Sequence, residues 1–304
     1  MTVSNDEDHY RFRRTLSHAF SESALRAQEP IIKSYVNLLI QRLREHCGAG
    51  KGAAADDDDN KPLNMVSWYN FATFDIVGDM AFGESFSCLQ NSTYNRWVSY
   101  IFSNIKNGVY KNVARRFPGS GVLLRLILPA RLEQEDQWHR KLTTEKVKSR
   151  LSKSNDRVDF FAHILKQKDT ERALSFPEML TNSSSFIIAG SETTATLLSA
   201  VTYYLLRNTH ALTKLQHEVR NAFTSETDIT VLACNRLEYL TAVLLEAFRI
   251  FPPIPIGLPR VINNPGVLIA GQWVPGGVSL LSVYLLGACQ CVSGDTAESL
   301  CAYT

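Results

Sequence analysis

Residues 175–206 read SFPEMLTNSSSFIIAGSETTATLLSAVTYYLL, and this run decides the fold class. Ser175 and Glu178 have capping-box spacing, with Pro177 in the first turn, so a helix is expected to start here. Between Met179 and Leu206 the single charged residue is Glu192. A helix apolar nearly all round is expected to be buried, and burying a lone carboxylate is costly unless it finds a partner. Gly190 stands just before it, and glycine inside a helix costs about 1 kcal/mol relative to alanine. The Gly190-Ser191 pair is a plausible kink point. Thr193, Thr194 and Thr196 carry hydroxyls that can bond back to the helix or outward to a ligand. Spacing leaves two readings open. One is a core helix with a satisfied polar patch. The other is a helix opened at Gly190, where Glu192 and Thr193 handle protons beside a ligand.

Helical periodicity continues outward from this run. Apolar residues recur three or four apart in 30–43, 65–82, 97–109, 138–151 and 160–165. Two interruptions read as surface loops. The stretch 48–60 is a Gly/Ala run followed by four consecutive aspartates, Asp56 to Asp59; 115–129 holds the turn Phe117-Pro118-Gly119-Ser120-Gly121. Strand signals are confined to the last fifth, around 267–274. The expectation is a mainly α chain with a small β portion near the C-terminus.

Composition excludes several classes. With 32 Lys+Arg against 30 Asp+Glu among 304 residues, the net charge of +2 gives no argument for nucleic acid. At 45% hydrophobic residues the chain has material for a sizeable core, which excludes wholesale disorder. Cys47, Cys88, Cys234, Cys289, Cys291 and Cys301 are too dispersed for a small disulfide scaffold, and none has zinc-site spacing. The acidic, polar opening is neither a signal peptide nor an anchor. The uncharged stretch 278–291 is shorter than the roughly 20 apolar residues of a membrane span. The chain reads as soluble, with no transmembrane anchor and with a cytoplasmic location as one option.

Two further stretches carry unusual chemistry. In 237–253, Leu237, Leu240, Leu244, Phe248 and Phe251 form a helical stripe stopped by Pro252-Pro253, and Glu246 and Arg249 are spaced to pair. Apolar neighbours on both sides suggest that this pair is at least partly buried and acts as a buttress. Beyond it, extended chain leads to Arg260, a lone charge in an apolar context. In 9–21, Arg11, Arg13 and Arg14 cluster on a helix start, either a solvated face or an anion-binding one.

In this order the three stretches resemble a cytochrome P450, in particular the fungal microsomal type of secondary metabolism. Ala189-Gly190-Ser191-Glu192-Thr193-Thr194 looks like the oxygen-activation motif of the family's central I helix. Glu246-Ala247-Phe248-Arg249 matches the ExxR of the K helix. His9 and Arg13 stand where the C helix often carries WxxxR, with His in place of Trp. The resemblance implies that His9, Arg13 and Arg260 meet haem propionates and that Ala189 and Gly190 line the haem. It assigns proton delivery to Glu192 and Thr193, and a structural pair to Glu246 and Arg249. It covers roughly 8–282, so the expected organisation is a partial P450 domain over 1–282, C helix through K helix, followed by a non-matching tail over 283–304.

The resemblance implies haem, O2, an apolar small-molecule substrate and an NADPH-cytochrome P450 reductase, in a family of the endoplasmic reticulum membrane. The family's FxxGxRxCxG loop is not matched, because its Cys has Arg two before and Gly two after. Cys289 has Gly287 and Cys291 at those places, Cys291 has Cys289 and Ser293, and Cys301 has Ser299 and Tyr303. The axial thiolate is what favours O–O cleavage. The expected activity is therefore that of a haem-thiolate monooxygenase, against two alternatives: a catalytically inactive truncated P450 that cannot ligate the iron, or a haem-free helical binding module. With the family's flanking regions unmatched, exposed apolar surface and poor solubility are also expected.

Overall fold

The computed structural model describes residues 6–47, 62–100, 130–153, 159–165, 173–255 and 259–281. The expected loops 48–60 and 115–129, most of the expected helix 97–109 and the tail 283–304 lie outside them. The chain divides into two compact units, residues 1–195 and 196–304.

In the first unit, α1 (Asp6–Ser17) leads through a 3-10 turn into α2 (Glu22–His46). Ser21 caps α2 by accepting a hydrogen bond from Ala24 N–H at 3.3 Å. That cap starts the helix eight residues before Pro30, and α2 runs through the proline without a break. α3 (Met65–Phe82) has both ends written in its sequence. The Asn64 side chain accepts from Ser67 N–H, and Gly83 takes the left-handed conformation, φ 68°, that closes a helix. After α4 (Cys88–Asn91) and a helical stretch at 96–100 come α5 (Ala130–Ser152), α6 (Phe160–Leu165) and α7 (Phe176–Arg207).

The core of this unit is aromatic. Trp68, Phe71, Phe74 and Phe82 of α3 join Phe86 and Trp97, with Phe12 and Leu16 of α1, Val147 of α5, Phe161 and Ile164 of α6, and Ile187 of α7. Charge enters the core in compensated form. Arg150 and Asp159, both fully buried, bond at 2.7 and 3.0 Å, and Asp159 also accepts from Ala162 N–H at the start of α6. Asp75 accepts from the N–H groups of Cys88 and Leu89 at 3.0 and 2.8 Å, holding the turn after α3.

In the second unit, α8 (Thr209–Ala222), the short α9 (Val231–Cys234) and α10 (Glu238–Ile250) follow the end of α7. Glu218 of α8 accepts from Tyr239 and Leu240 N–H at 2.8 and 2.9 Å, so one helix caps the next. Two antiparallel pairs complete it: β1 (Pro259–Val261) with β4 (Ser279–Leu281), and β2 (Gly266–Ile269) with β3 (Gln272–Pro275).

Two expectations need correction. α7 is one unbroken α-helix through Gly190, so it is not opened there. Its hydroxyl side chains turn back onto carbonyls one turn earlier and leave the helical assignment intact. Nor is α7 buried all round. Ile187, Ser191 and Ala195 are buried, whereas Ile188, Ala189 and Thr194 are exposed. The apolar stripe of α10 is likewise split, with Leu237 buried and Phe248 and Phe251 about half exposed. Apolar composition marks which residues can be covered, and the neighbouring elements decide which are.

Candidate functional site

The oxygen-activation-like motif lies on α7, within the first unit. Gly190 is there for contact: a Cβ built on it would come 3.1 Å from Cγ2 of Val77 on α3. The hydroxyl of Thr193 donates to the Ala189 carbonyl at 2.6 Å, and that of Thr194 to the Gly190 carbonyl at 3.0 Å. Ser191, fully buried, donates to the Ile187 carbonyl. These bonds use the hydroxyl hydrogens and leave the Thr193 oxygen free to accept.

Glu192 is half-buried and has no hydrogen-bonding partner among the described residues. Desolvation alone pushes its carboxyl above the ordinary range. Glu192 and Thr193 are neighbours along α7, the carboxyl half-buried and the hydroxyl bonded back to the Ala189 carbonyl. The pair Glu192 and Thr193 offers a group that holds its proton longer than a solvated carboxylate, beside a group that can accept one.

On α1, His9 and Arg13 are one turn apart on the same face, both exposed and both without a partner among the described residues. Arg11 behaves differently. Its guanidinium donates to Glu178 at 2.5 and 3.4 Å, to Asp8 at 3.0 Å and to the Ala173 carbonyl at 3.1 Å. Glu178 in turn accepts from Ser175 N–H at 2.7 Å, half of the capping box expected at this helix start. Arg11 holds the Glu178 carboxyl below the usual range and is itself raised by it. Sequence reading missed this pin between α1 and the first turn of α7, because its partners lie 167 residues apart. From Glu178 to Glu192 the helix rises about 21 Å, so the pin sets α1 at the far end of the motif's helix.

In the second unit, Glu246 and Arg249 form a two-pronged pair, Nε to Oε2 at 2.8 Å and Nη2 to Oε1 at 2.7 Å. Glu246 is 19% exposed, but Arg249 is 51% exposed, so only the acidic half is partly buried as expected. Arg260 sits in β1 opposite Leu280, exposed and without a partner among the described residues. The site residues expected from sequence therefore fall into two sets, Glu192, Thr193, His9, Arg13, Ala189 and Gly190 in one unit and Glu246, Arg249 and Arg260 in the other.

The donor set tests whether haem fits. The exposed guanidinium groups of Arg13 and Arg260 suit carboxylates such as propionates, and the exposed imidazole of His9 can donate a ring N–H to one. An axial thiolate is another matter among the described residues. Cys88 is buried and burial pushes its thiol up to about 12, which keeps it protonated. Cys47 and Cys234 stand at helix ends. Among the described residues no cluster of three metal-ligating side chains occurs. Cys289, Cys291 and Cys301 lie outside the described residues. In each unit the described residues offer groups that suit a haem carboxylate, His9 and Arg13 in the first and Arg260 in the second.

The family model for cytochrome P450 matches residues 1–286. A cytochrome P450 monooxygenase of Talaromyces wortmannii, astA, is 45% identical over 269 residues, covering 88% of this chain and 52% of that protein. The averantin hydroxylase of Dothistroma septosporum is 40% identical over 95% of this chain and 52% of its own length. The trichothecene C-15 hydroxylase of Fusarium sporotrichioides is 43% identical over 90% of this chain and 54% of its own length. The chain thus spans about half the length of the curated relatives it matches.

Proposed function

The chain belongs to the cytochrome P450 family, and on that footing we propose that it carries part of a haem-thiolate monooxygenase that hydroxylates an apolar small molecule with O2, in fungal secondary metabolism. Electrons would come from an NADPH-dependent reductase, the partner general to this family. The observation that carries the reading is the unpartnered, desolvated carboxyl of Glu192 beside the accepting hydroxyl of Thr193.

Haem, when bound, supplies the oxygen chemistry. This chain's residues supply position and protons. Exposed Ala189 presents only a methyl group, leaving room on its face of α7. Glu192, its carboxyl raised by burial, holds a proton closer to neutral pH than a solvated glutamate does and can release it locally. Thr193 accepts through oxygen lone pairs while its hydrogen is committed to Ala189. Arg13 and Arg260 offer charge-assisted donors for haem carboxylates, and His9 offers a ring N–H. Among the described residues no helix is long and apolar enough to cross a membrane.

The test is spectroscopic. The purified chain, given haem, reduced and exposed to carbon monoxide, should show a thiolate-type difference spectrum if it completes the iron site itself; no Soret absorption would assign the iron ligand elsewhere and leave this chain inactive alone. In a haem-loaded form, Thr193→Ala should uncouple reductant use from product, and unchanged coupling would remove the role of Thr193.

A second reading, a haem-free binding module, draws on one observation. The end of α7, α8 and α10 enclose an apolar cavity of about 210 Å³ lined by residues such as Tyr204, Leu205, Tyr239 and Val243. Thermal stabilisation of the haem-free chain by small apolar ligands would favour it.

A further inference from the structure

A groove of about 610 Å³ lies between α5 and α7, within the first unit, and its described wall is mostly polar. α5 contributes Arg140 and Thr144, and α7 contributes Thr181, Ser185 and Ile188. Those three residues of α7 are all exposed and stand at i, i+4 and i+7, and the same stripe reaches Glu192 at i+11. The groove therefore follows the face of α7 that carries Glu192, and its wall ends at Ile188, one turn short of it. A volume of this order is that of a small-molecule site.

The hydroxyls in that wall are already committed as donors. Thr144 donates to the Arg140 carbonyl at 2.7 Å, Thr181 to the Pro177 carbonyl at 3.0 Å and Ser185 to the Thr181 carbonyl at 2.9 Å. A hydroxyl has one hydrogen and two lone pairs, so what these groups keep for a ligand is acceptor capacity. A ligand that donates can bond to them with every one of these bonds kept. A ligand that only accepts must turn a hydroxyl off its carbonyl, an exchange with little net gain. A carboxylate would set its own lone pairs against those of Thr181 and Ser185. Among the described residues of the wall, Arg140 alone carries a fixed charge, and it is exposed to water.

We propose that this groove binds the substrate, and that the substrate is a small molecule with hydroxyl donors at one end and an apolar body at the other. Two ligand hydroxyls donate to Thr181 and Ser185, which are one turn apart, about 6 Å along the helix. The apolar body lies on Ile188 and extends toward Glu192 and Thr193. The substrate of the proposed monooxygenase is thereby narrowed from an apolar molecule to a hydroxyl-bearing one. What becomes of the bound ligand rests on the monooxygenase reading; its binding does not.

Binding to the haem-free full chain is the test, so a negative carbon monoxide spectrum and a failed groove are separate outcomes. The probes are a dihydroxynaphthalene and its dimethyl ether, titrated by calorimetry. They share one ring system, and the ether is the more apolar and has no donor. The diol should bind more tightly than the ether, by about 5-fold or more for two hydrogen bonds. Ser185→Ala, an exposed change toward the better helix former, should weaken the diol by about 2-fold or more and leave the ether unchanged. Adding Thr181→Val should bring the diol down to the level of the ether. Ether binding as tight as that of the diol overturns the proposal, as does diol binding that Ser185→Ala leaves unmoved. Absence of saturable diol binding also overturns it. The two probes and Ser185→Ala decide the question even if the double variant does not fold.

Discussion

Gly190 of α7 faces Val77 of α3 so closely that a Cβ at position 190 would stand 3.1 Å from Cγ2 and 3.6 Å from Cγ1 of the valine. Two effects oppose each other there. Alanine gains about 1 kcal/mol of helix propensity over glycine, but Val77 must give way by a few tenths of an ångström. Gly190→Ala is expected to change stability little, and Gly190→Leu to cost about 1–3 kcal/mol by overpacking. In a Val77→Ala background the clash is gone, so Gly190→Ala should then stabilise. Denaturant midpoints of the four-member cycle check this, with the coupling as the readout.

The Arg150–Asp159 pair is fully buried on both sides. Removing one partner strands the other charge, and Asp159 also caps α6 through Ala162 N–H. Asp159→Ala or Arg150→Met should each cost about 3–5 kcal/mol. Arg150→Met with Asp159→Leu should recover much of that loss and leave mainly the missing cap. If the double variant is no more stable than the worse single one, the charge explanation fails.

What the sequence made readable was local. The ends of α3 lie in Asn64 and Gly83, and those of α6 in the apolar run 160–165, because caps and periodicity act within a turn or two. The Glu246–Arg249 pair was readable for the same reason, since i and i+3 are neighbours on any helix. Contacts set by tertiary packing were not. Nothing near Gly190 announces Val77, so the residue looks like a kink site until α3 is beside it. Nothing near Arg11 announces Glu178, so one arginine of a basic cluster became a pin while Arg13 stayed exposed. Burial of α7 failed for a related reason: composition gives a limit on how much of a helix can be covered, not which face is.

The exposure of Arg249 sets a ceiling on its value. At 51% exposure the guanidinium stays largely hydrated, and a surface i,i+3 pair contributes about 0–1 kcal/mol. In this chain Arg249→Lys should therefore lower stability by less than about 1 kcal/mol, with the difference shrinking in high salt. A larger, salt-insensitive loss would mean that the pair is the buried buttress expected from its apolar neighbours.

Two glutamates on α7 should respond to acid with opposite signs. Glu178 is held low, first by its hydrogen bond from Arg11, so its contribution is full above the ordinary glutamate value and is lost as pH falls through the lower folded value. Glu192 is pushed up by desolvation with no compensating partner among the described residues. Its folded form binds a proton more readily than the unfolded chain does. It therefore burdens the fold above its raised value, and the burden lifts as pH falls through the window between that value and the ordinary one. Glu178→Gln should lower the denaturant midpoint at pH 7, and the deficit should shrink as pH falls from the ordinary glutamate value through the lower folded one. Glu192→Gln should raise the midpoint at pH 7 and flatten the part of the pH profile that the carboxyl causes. The second result bears on function as well as stability, because a carboxyl that costs the fold at neutral pH and is kept on the same turn as Thr193 is the group expected to move a proton there. If Glu192→Gln is neutral at pH 7, the carboxyl is solvated in solution, and its role as a desolvated proton carrier goes with it.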